Sequence, residues 1–160
     1  MTSPDSPRDV TALQASLAPG WVVVASTGAG TFEQVMLDGR HILRADEPVA
    51  AGGRDAGPGP YELLLMALGS CTSMTVRLYA ARKKWPLEQV IVRLRHEKFH
   101  ASDCADCEER NVLLDHIELE LAFVGPLDDS QRARLREIAD KCPVHRTLTS
   151  RIDIHTTLSA

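Results

Sequence analysis

Between two prolines, Pro60 and Pro86, the chain reads YELLLMALGSCTSMTVRLYAARKKW, and no other segment restricts the possible folds so strongly. Pro60 stands where a first-turn proline belongs, and Arg82-Lys83-Lys84 suits the negative end of a helix dipole. The spacing predicts one helix over residues 61–84, ending before Pro86. Such a helix is about 36 Å long. From Leu63 to Leu68 it is apolar all round, which predicts burial rather than a surface position. The rest of the chain must therefore supply cover for it.

That cover is read as sheet. Trp21–Val24, Phe32–Leu37 and His41–Ala45 are short β-prone runs, the last two flanking Asp38-Gly39, a hairpin signal. Val90–His100 and Ile117–Phe123 alternate apolar with charged residues, as half-buried strands do. Asp128-Asp129 opens a helix running through Lys141, with Leu135, Ile138, Ala139 and Cys142 at helical spacing and Pro143 as its stop. Ile152 and Ile154 alternate with Arg151, Asp153 and His155, which predicts a last strand. The order βββαββαβ gives an α+β domain on mainly antiparallel sheet. Residues 46–60 hold four glycines and three prolines, and a loop of that length is usually functional or mobile.

Of 160 residues, 44% are apolar and only 4% aromatic, so the core must be aliphatic. The expectation is a flexible tail over 1–19, with a helical turn possible at Val10–Leu17, and a single domain over 20–160. A net charge of −4 argues against nucleic acid as a partner. No eighteen consecutive residues are apolar and the polar N-terminus is not a signal peptide, so the expectation is a cytoplasmic protein without a membrane anchor. Four cysteines in such a compartment do not make a disulfide framework.

Those cysteines are the candidates for chemistry. Cys71 lies inside the long helix, on a face shared by Leu64, Ala67, Leu68, Thr75 and Leu78. A small core hydrophobe and a reactive thiol both fit it, and reactivity would need a partner that stabilises the thiolate. Gly69-Ser70 just before it is unusual in mid-helix and permits close approach of another group. Cys142, in KCPVHRTL, is either a capped helix end or a thiol with His145 and Arg146 close by. Cys104 and Cys107 form C-x-x-C with His100 upstream, the spacing of a zinc knuckle, a redox pair, or merely an acidic loop with reduced thiols. His96 and His100 on one strand would be about 13 Å apart, too far to share a metal. Glu62 falls about 180° from Cys71 on the helix, whereas Glu47 in the long loop is free to approach. The glycine-rich loop lacks the residues of a nucleotide-binding motif, and G-x-S-x-G is absent.

Taken together, GPGPYELLLMALGSCTSMTVRLYAARKKWP and ADKCPVHRTLTSRIDI resemble the OsmC/Ohr family of organic hydroperoxide reductases, as does the preceding LDGRHILRADEP…GGRDAGP. The similarity spans roughly Phe32 to Thr156. It implies an OsmC-like fold, with sheet wrapped around the long buried central helix in a swapped homodimer. It also implies that Cys71 is the peroxidatic cysteine and Cys142 the resolving one, in a thiol peroxidase of oxidative-stress defence that reduces organic hydroperoxides to alcohols. No bound cofactor is implied; an external dithiol such as a lipoyl group would be the reductant. Leu64 and Leu68 would line the apolar pocket, with Tyr61 and Glu62 at its entrance. Family peroxidases carry, after the helix-opening proline, a glutamate paired with an active-site arginine. Tyr61 occupies that position here, and Arg40, Arg44 and Arg54 are candidates for the arginine, Arg40 fitting best beside the hairpin.

Two readings compete with this one. In the first, the pocket holds a small ligand or lipid and the cysteines merely pack. In the second, His100, Cys104 and Cys107 hold a structural zinc or act as a redox sensor. A Cys71 thiol at or above about 8.5 would favour the binding module.

Overall fold

The structure is a computed structural model that describes residues 10–15, 17–100 and 113–158. The chain packs as two compact units, Met1–Leu63 and Leu64–Ala160.

The first unit holds a short helix α1 (Val10–Ala15) and three strands, β1 (Val23–Ser26), β2 (Gln34–Leu37) and β3 (Ile42–Ala45). They form an antiparallel meander in which Val23 faces Leu37 and Leu37 faces Ile42. The expected strands are present, the first shifted by two residues and the other two shorter, with Trp21, Val22 and Phe32 exposed outside the ladder. Val35 and Leu37 are buried on one face of β2, and Ala45, opposite Gln34, is buried on the other face of the sheet. The Asp38-Gly39 hairpin is closed by the aspartate side chain. Asp38 Oδ1 accepts from the backbone N–H groups of Arg40 at 2.9 Å and His41 at 2.7 Å. Gly39 takes the left-handed conformation that this turn needs, with φ 88°.

The long loop after β3 is an ordered structure, built on the buried carboxylate of Asp46. Its Oδ2 accepts from Arg54 N at 2.9 Å and Ala56 N at 3.2 Å, and Oδ1 from Glu47 N at 2.9 Å. A single 3-10 turn covers Val49–Ala51. The glycines permit this closeness: a Cβ on Gly53 would sit 1.8 Å from the Glu47 carbonyl oxygen.

Helix α2 (Pro60–Lys83) begins in the first unit and continues through the second. By length and composition it could cross a bilayer, with a mean hydropathy of 1.3 over its most apolar 18 residues. In this chain one side of it is buried, at Leu68, Gly69, Thr72, Val76 and Ala80. Met66, inside the run that the sequence predicts to be buried all round, is exposed, because packing covers only one face of the helix. Strands β4 (Gln89–His100) and β5 (Leu113–Val124) pair along their whole length, Gln89 facing Val124 and His100 facing Leu113. The ribbon's half-buried face includes Val92, Leu94, Leu119 and Leu121, as the alternation predicts, while Arg93, Arg95 and Glu120 are exposed. Helix α3 (Asp129–Ala139) starts with a capping box between Asp128 and Gln131. Val76 and Ala80 of α2 pack with Leu127, Leu135 and Ala139, and Leu121 and Phe123 lie against that cluster.

Two expectations are corrected. Pro143 does not simply stop a helix: α3 ends at Ala139, and Pro143 opens a second helix, α4 (Pro143–Leu148), at its first position. Residues 151–158 form no strand, and Ile152 and Ile154 are exposed. Alternation marks a segment able to pair, but a strand exists only where a neighbouring edge accepts its hydrogen bonds.

Candidate active site

The buried positions of α2 are Leu68, Gly69, Thr72, Val76 and Ala80. Four of them follow a strict i, i+4 row, so the ridge facing the ribbon and α3 runs through Thr72, and Cys71 lies on its flank. Cys71 is accordingly half-buried, while Leu78, expected on the core face, is 53% exposed. At Gly69 the helix passes close to the ribbon: a Cβ there would stand 2.8 Å from Leu94 Cδ1.

Cys142 is the N-cap of α4 and is fully buried. Both cysteines are free thiols. The Cys142 sulfur accepts from the His145 backbone N–H at 3.3 Å and from the Thr72 hydroxyl at 3.5 Å. Burial pushes this thiol up, but hydrogen bonds from Thr72, the His145 N–H, the Cys71 thiol and the Val144 N–H outweigh it. The net result is a pKa below the ordinary 9.0. The printed geometry aside, the fold ties Cys142 to Thr72, the residue that follows Cys71 in α2. The KCPVHRTL segment reaches the sulfur through backbone amides, whereas the sequence suggested side-chain charge from His145 and Arg146.

Thr72 was not singled out from the sequence. The signal was available: a hydroxyl at i+4 from Leu68 and i−4 from Val76 lies on a buried ridge and must find a partner. The neighbouring hydroxyls bond locally, Ser70 to Ala67 O and Thr75 to Cys71 O. Thr72 instead reaches across to another helix.

The other candidates lie as follows. Leu68 is buried and Leu64 half-buried. Tyr61 is exposed, and Glu62 Oε2 accepts from Gly59 N at 2.8 Å, which caps the start of α2. Tyr61, Glu62, Glu47, Pro48 and Asp55 line an open groove of about 280 Å³ within the first unit. Arg40 sits in the hairpin, exposed, with its backbone N–H bonded to Asp38. Arg44 and Arg54 instead converge on the buried Glu33: Arg44 bonds to Oε1, and Arg54 Nη1 lies 3.8 Å from Oε2. Cys104, Cys107 and the His100 side chain lie outside the described residues, and no metal-ligating cluster occurs among the described ones.

The sequence profile of the OsmC-like proteins matches residues 52–157, a span that includes α2, both described thiols and the ribbon. The chain belongs to the OsmC family. Its fold agrees with solved OsmC structures. The organic hydroperoxide resistance protein OsmC of Legionella pneumophila superposes with a TM-score of 0.58 at 20% identity, covering 86% of this chain and 95% of that one. An OsmC-like protein of Mycoplasma pneumoniae gives 0.60 at 18% identity, over 80% and 85% of the two chains. OhrB of Bacillus subtilis, also an organic hydroperoxide resistance protein, gives 0.56 at 18% identity, over 83% and 92%. No curated protein matches the sequence significantly.

Proposed function

We propose that this OsmC protein is a two-cysteine thiol peroxidase that reduces organic hydroperoxides in the cytoplasm, with Cys71 as nucleophile and Cys142 as resolver. The observation that carries the reading is the hydrogen bond from Thr72 to the Cys142 sulfur, which ties the buried thiol to the residue next to half-buried Cys71. Cys71 is the more open of the two, half-buried where Cys142 is fully buried, and so takes the role of nucleophile in this reading. The Cys71 thiolate attacks the terminal peroxide oxygen, the O–O bond breaks, and the alkoxide takes a proton and leaves as alcohol. Cys71 is then a sulfenic acid. The Cys142 thiolate attacks that sulfur, a disulfide forms, and hydroxide leaves to be protonated to water. An external dithiol such as a lipoyl group reduces the disulfide by two successive exchanges. Half-buried Leu64 and buried Leu68, on the same face of α2, supply the apolar surroundings of Cys71.

The functional unit in this reading is a homodimer. In the single chain α2 leaves Met66 57% and Met74 69% exposed, and residues 151–158 carry an unpaired alternating pattern. A second copy would cover both. The deciding assay follows consumption of cumene hydroperoxide and hydrogen peroxide with dihydrolipoamide as reductant. Turnover with preference for the organic peroxide is expected. A chain that consumes neither would be a binding module, with Cys71 a packing residue.

A further inference from the structure

We infer that Thr72 is the positioning residue of the thiol pair: its hydroxyl donates to Cys142 Sγ, aims that sulfur toward Cys71 and stabilises the charge it must carry to attack. The inference deepens the peroxidase reading and rests on it for its role in turnover, but its physical content is independent of any peroxide.

Three observations carry it. Thr72 is completely buried, so its hydroxyl has no water to bond and its choice of partner is decided by the fold. A helical threonine ordinarily bonds the carbonyl four residues back, and Thr75 does so at 2.8 Å. Thr72 donates instead to a sulfur 70 positions away in sequence. The bond is also directional. The His145 N–H approaches Cys142 from its own helix start, while the Thr72 hydroxyl approaches from α2, beside Cys71. Together they hold the sulfur between α2 and the start of α4. From α2 the titratable group that bears on the sulfur is Cys71; on its own segment its charged or titratable neighbours are Asp140, Lys141, His145 and Arg146.

A hydroxyl donor is worth more to a thiolate than to a thiol, because hydrogen bonds to charged groups are the stronger ones. Removing it should raise the Cys142 titration by about one pH unit and slow resolution about tenfold near neutral pH. The test is a titration of the full chain carrying 13Cβ-labelled cysteine, followed by NMR. The Cys142 signal is assigned by its loss in Cys142→Ser. Thr72→Val should move that titration upward, and Thr72→Ser, which keeps the donor, should restore most of the shift. If Thr72→Val does not fold, Thr72→Ala removes the same donor without adding a branched methyl. In parallel, one equivalent of cumene hydroperoxide should leave a longer-lived Cys71 sulfenic acid in Thr72→Val than in the native chain, read by trapping with dimedone and mass spectrometry. An unchanged Cys142 titration in both donorless variants overturns the role of Thr72. A shifted titration in a chain that consumes no hydroperoxide leaves that role standing and overturns the peroxidase reading instead.

Discussion

Thr72 Oγ1 donates to Cys142 Sγ over 3.5 Å, tying the middle of α2 to the N-cap of α4. The bond joins the two segments of the sequence that carry thiols at helix positions. It also explains how a completely buried cysteine can have its thiol pKa lowered, since desolvation alone would raise it.

The two cysteines should fail in different ways. Cys71→Ser removes the nucleophile and should abolish peroxide reduction. Cys142→Ser leaves the nucleophile but removes the trap, so a single turnover should be followed by sulfinic and sulfonic acid on Cys71. In the native chain, one equivalent of cumene hydroperoxide should give a Cys71–Cys142 disulfide. Peptide mapping that finds Cys104 joined to Cys107, with Cys71 still reduced, would reverse the assignment.

Cys104 and Cys107 should be dispensable for turnover. They belong to the polar stretch ASDCADCEER, not to an apolar face. Replacing both with serine should leave the peroxidase rate within about threefold, a change worth less than ~1 kcal/mol. Metal analysis of freshly purified protein tests the zinc reading separately, and zinc approaching one equivalent per chain would support it.

Asp46 should make the fold acid-sensitive. Burial pushes its carboxyl up, but the backbone N–H groups of Glu47, Ala56 and Arg54, with the Arg54 charge, hold it below the ordinary 3.8. A carboxylate whose pKa is lower folded than unfolded contributes stability above about pH 4, and that contribution is lost as pH falls through the folded value. Urea midpoints at pH 7 and pH 3 should therefore drop further for the native chain than for Asp46→Asn. The variant should already be less stable at pH 7, because the side-chain amide offers one acceptor oxygen where the carboxylate offers two.

In solution the protein should be a homodimer, because exposed Met66, Met74 and Leu78 would otherwise leave an apolar strip on the central helix. Light scattering at low micromolar concentration should give twice the 17.5 kDa chain mass. A stable monomer would remove the dimer from the functional reading. Met74→Lys, on the exposed side of α2, should weaken association before it weakens the fold.

Much of the fold could be read from residue order because it depends on local chemistry. Pro60 starts a helix by its fixed φ, Asp38-Gly39 closes a hairpin through a side-chain oxygen and a left-handed glycine, and alternation in β4 and β5 marks the wet face. The two thiols were legible too, one inside the long apolar helix and one ahead of a proline. Tertiary structure decided what those residues touch. Period and composition show that one side of α2 is apolar, yet only packing against the ribbon and α3 determined that the buried ridge runs through Thr72 and leaves Cys71 half-open. The same holds for Asp46 and Glu33: a loop aspartate and a strand-edge glutamate look solvated in sequence, and became buried acceptors because backbone amides and arginines distant in the chain close over them. Ile152–Ile154 shows the converse, since its alternation is a property of the segment alone while pairing needs an edge supplied by something else. Local sequence states which groups require partners; the partners are chosen by long-range closure of the chain.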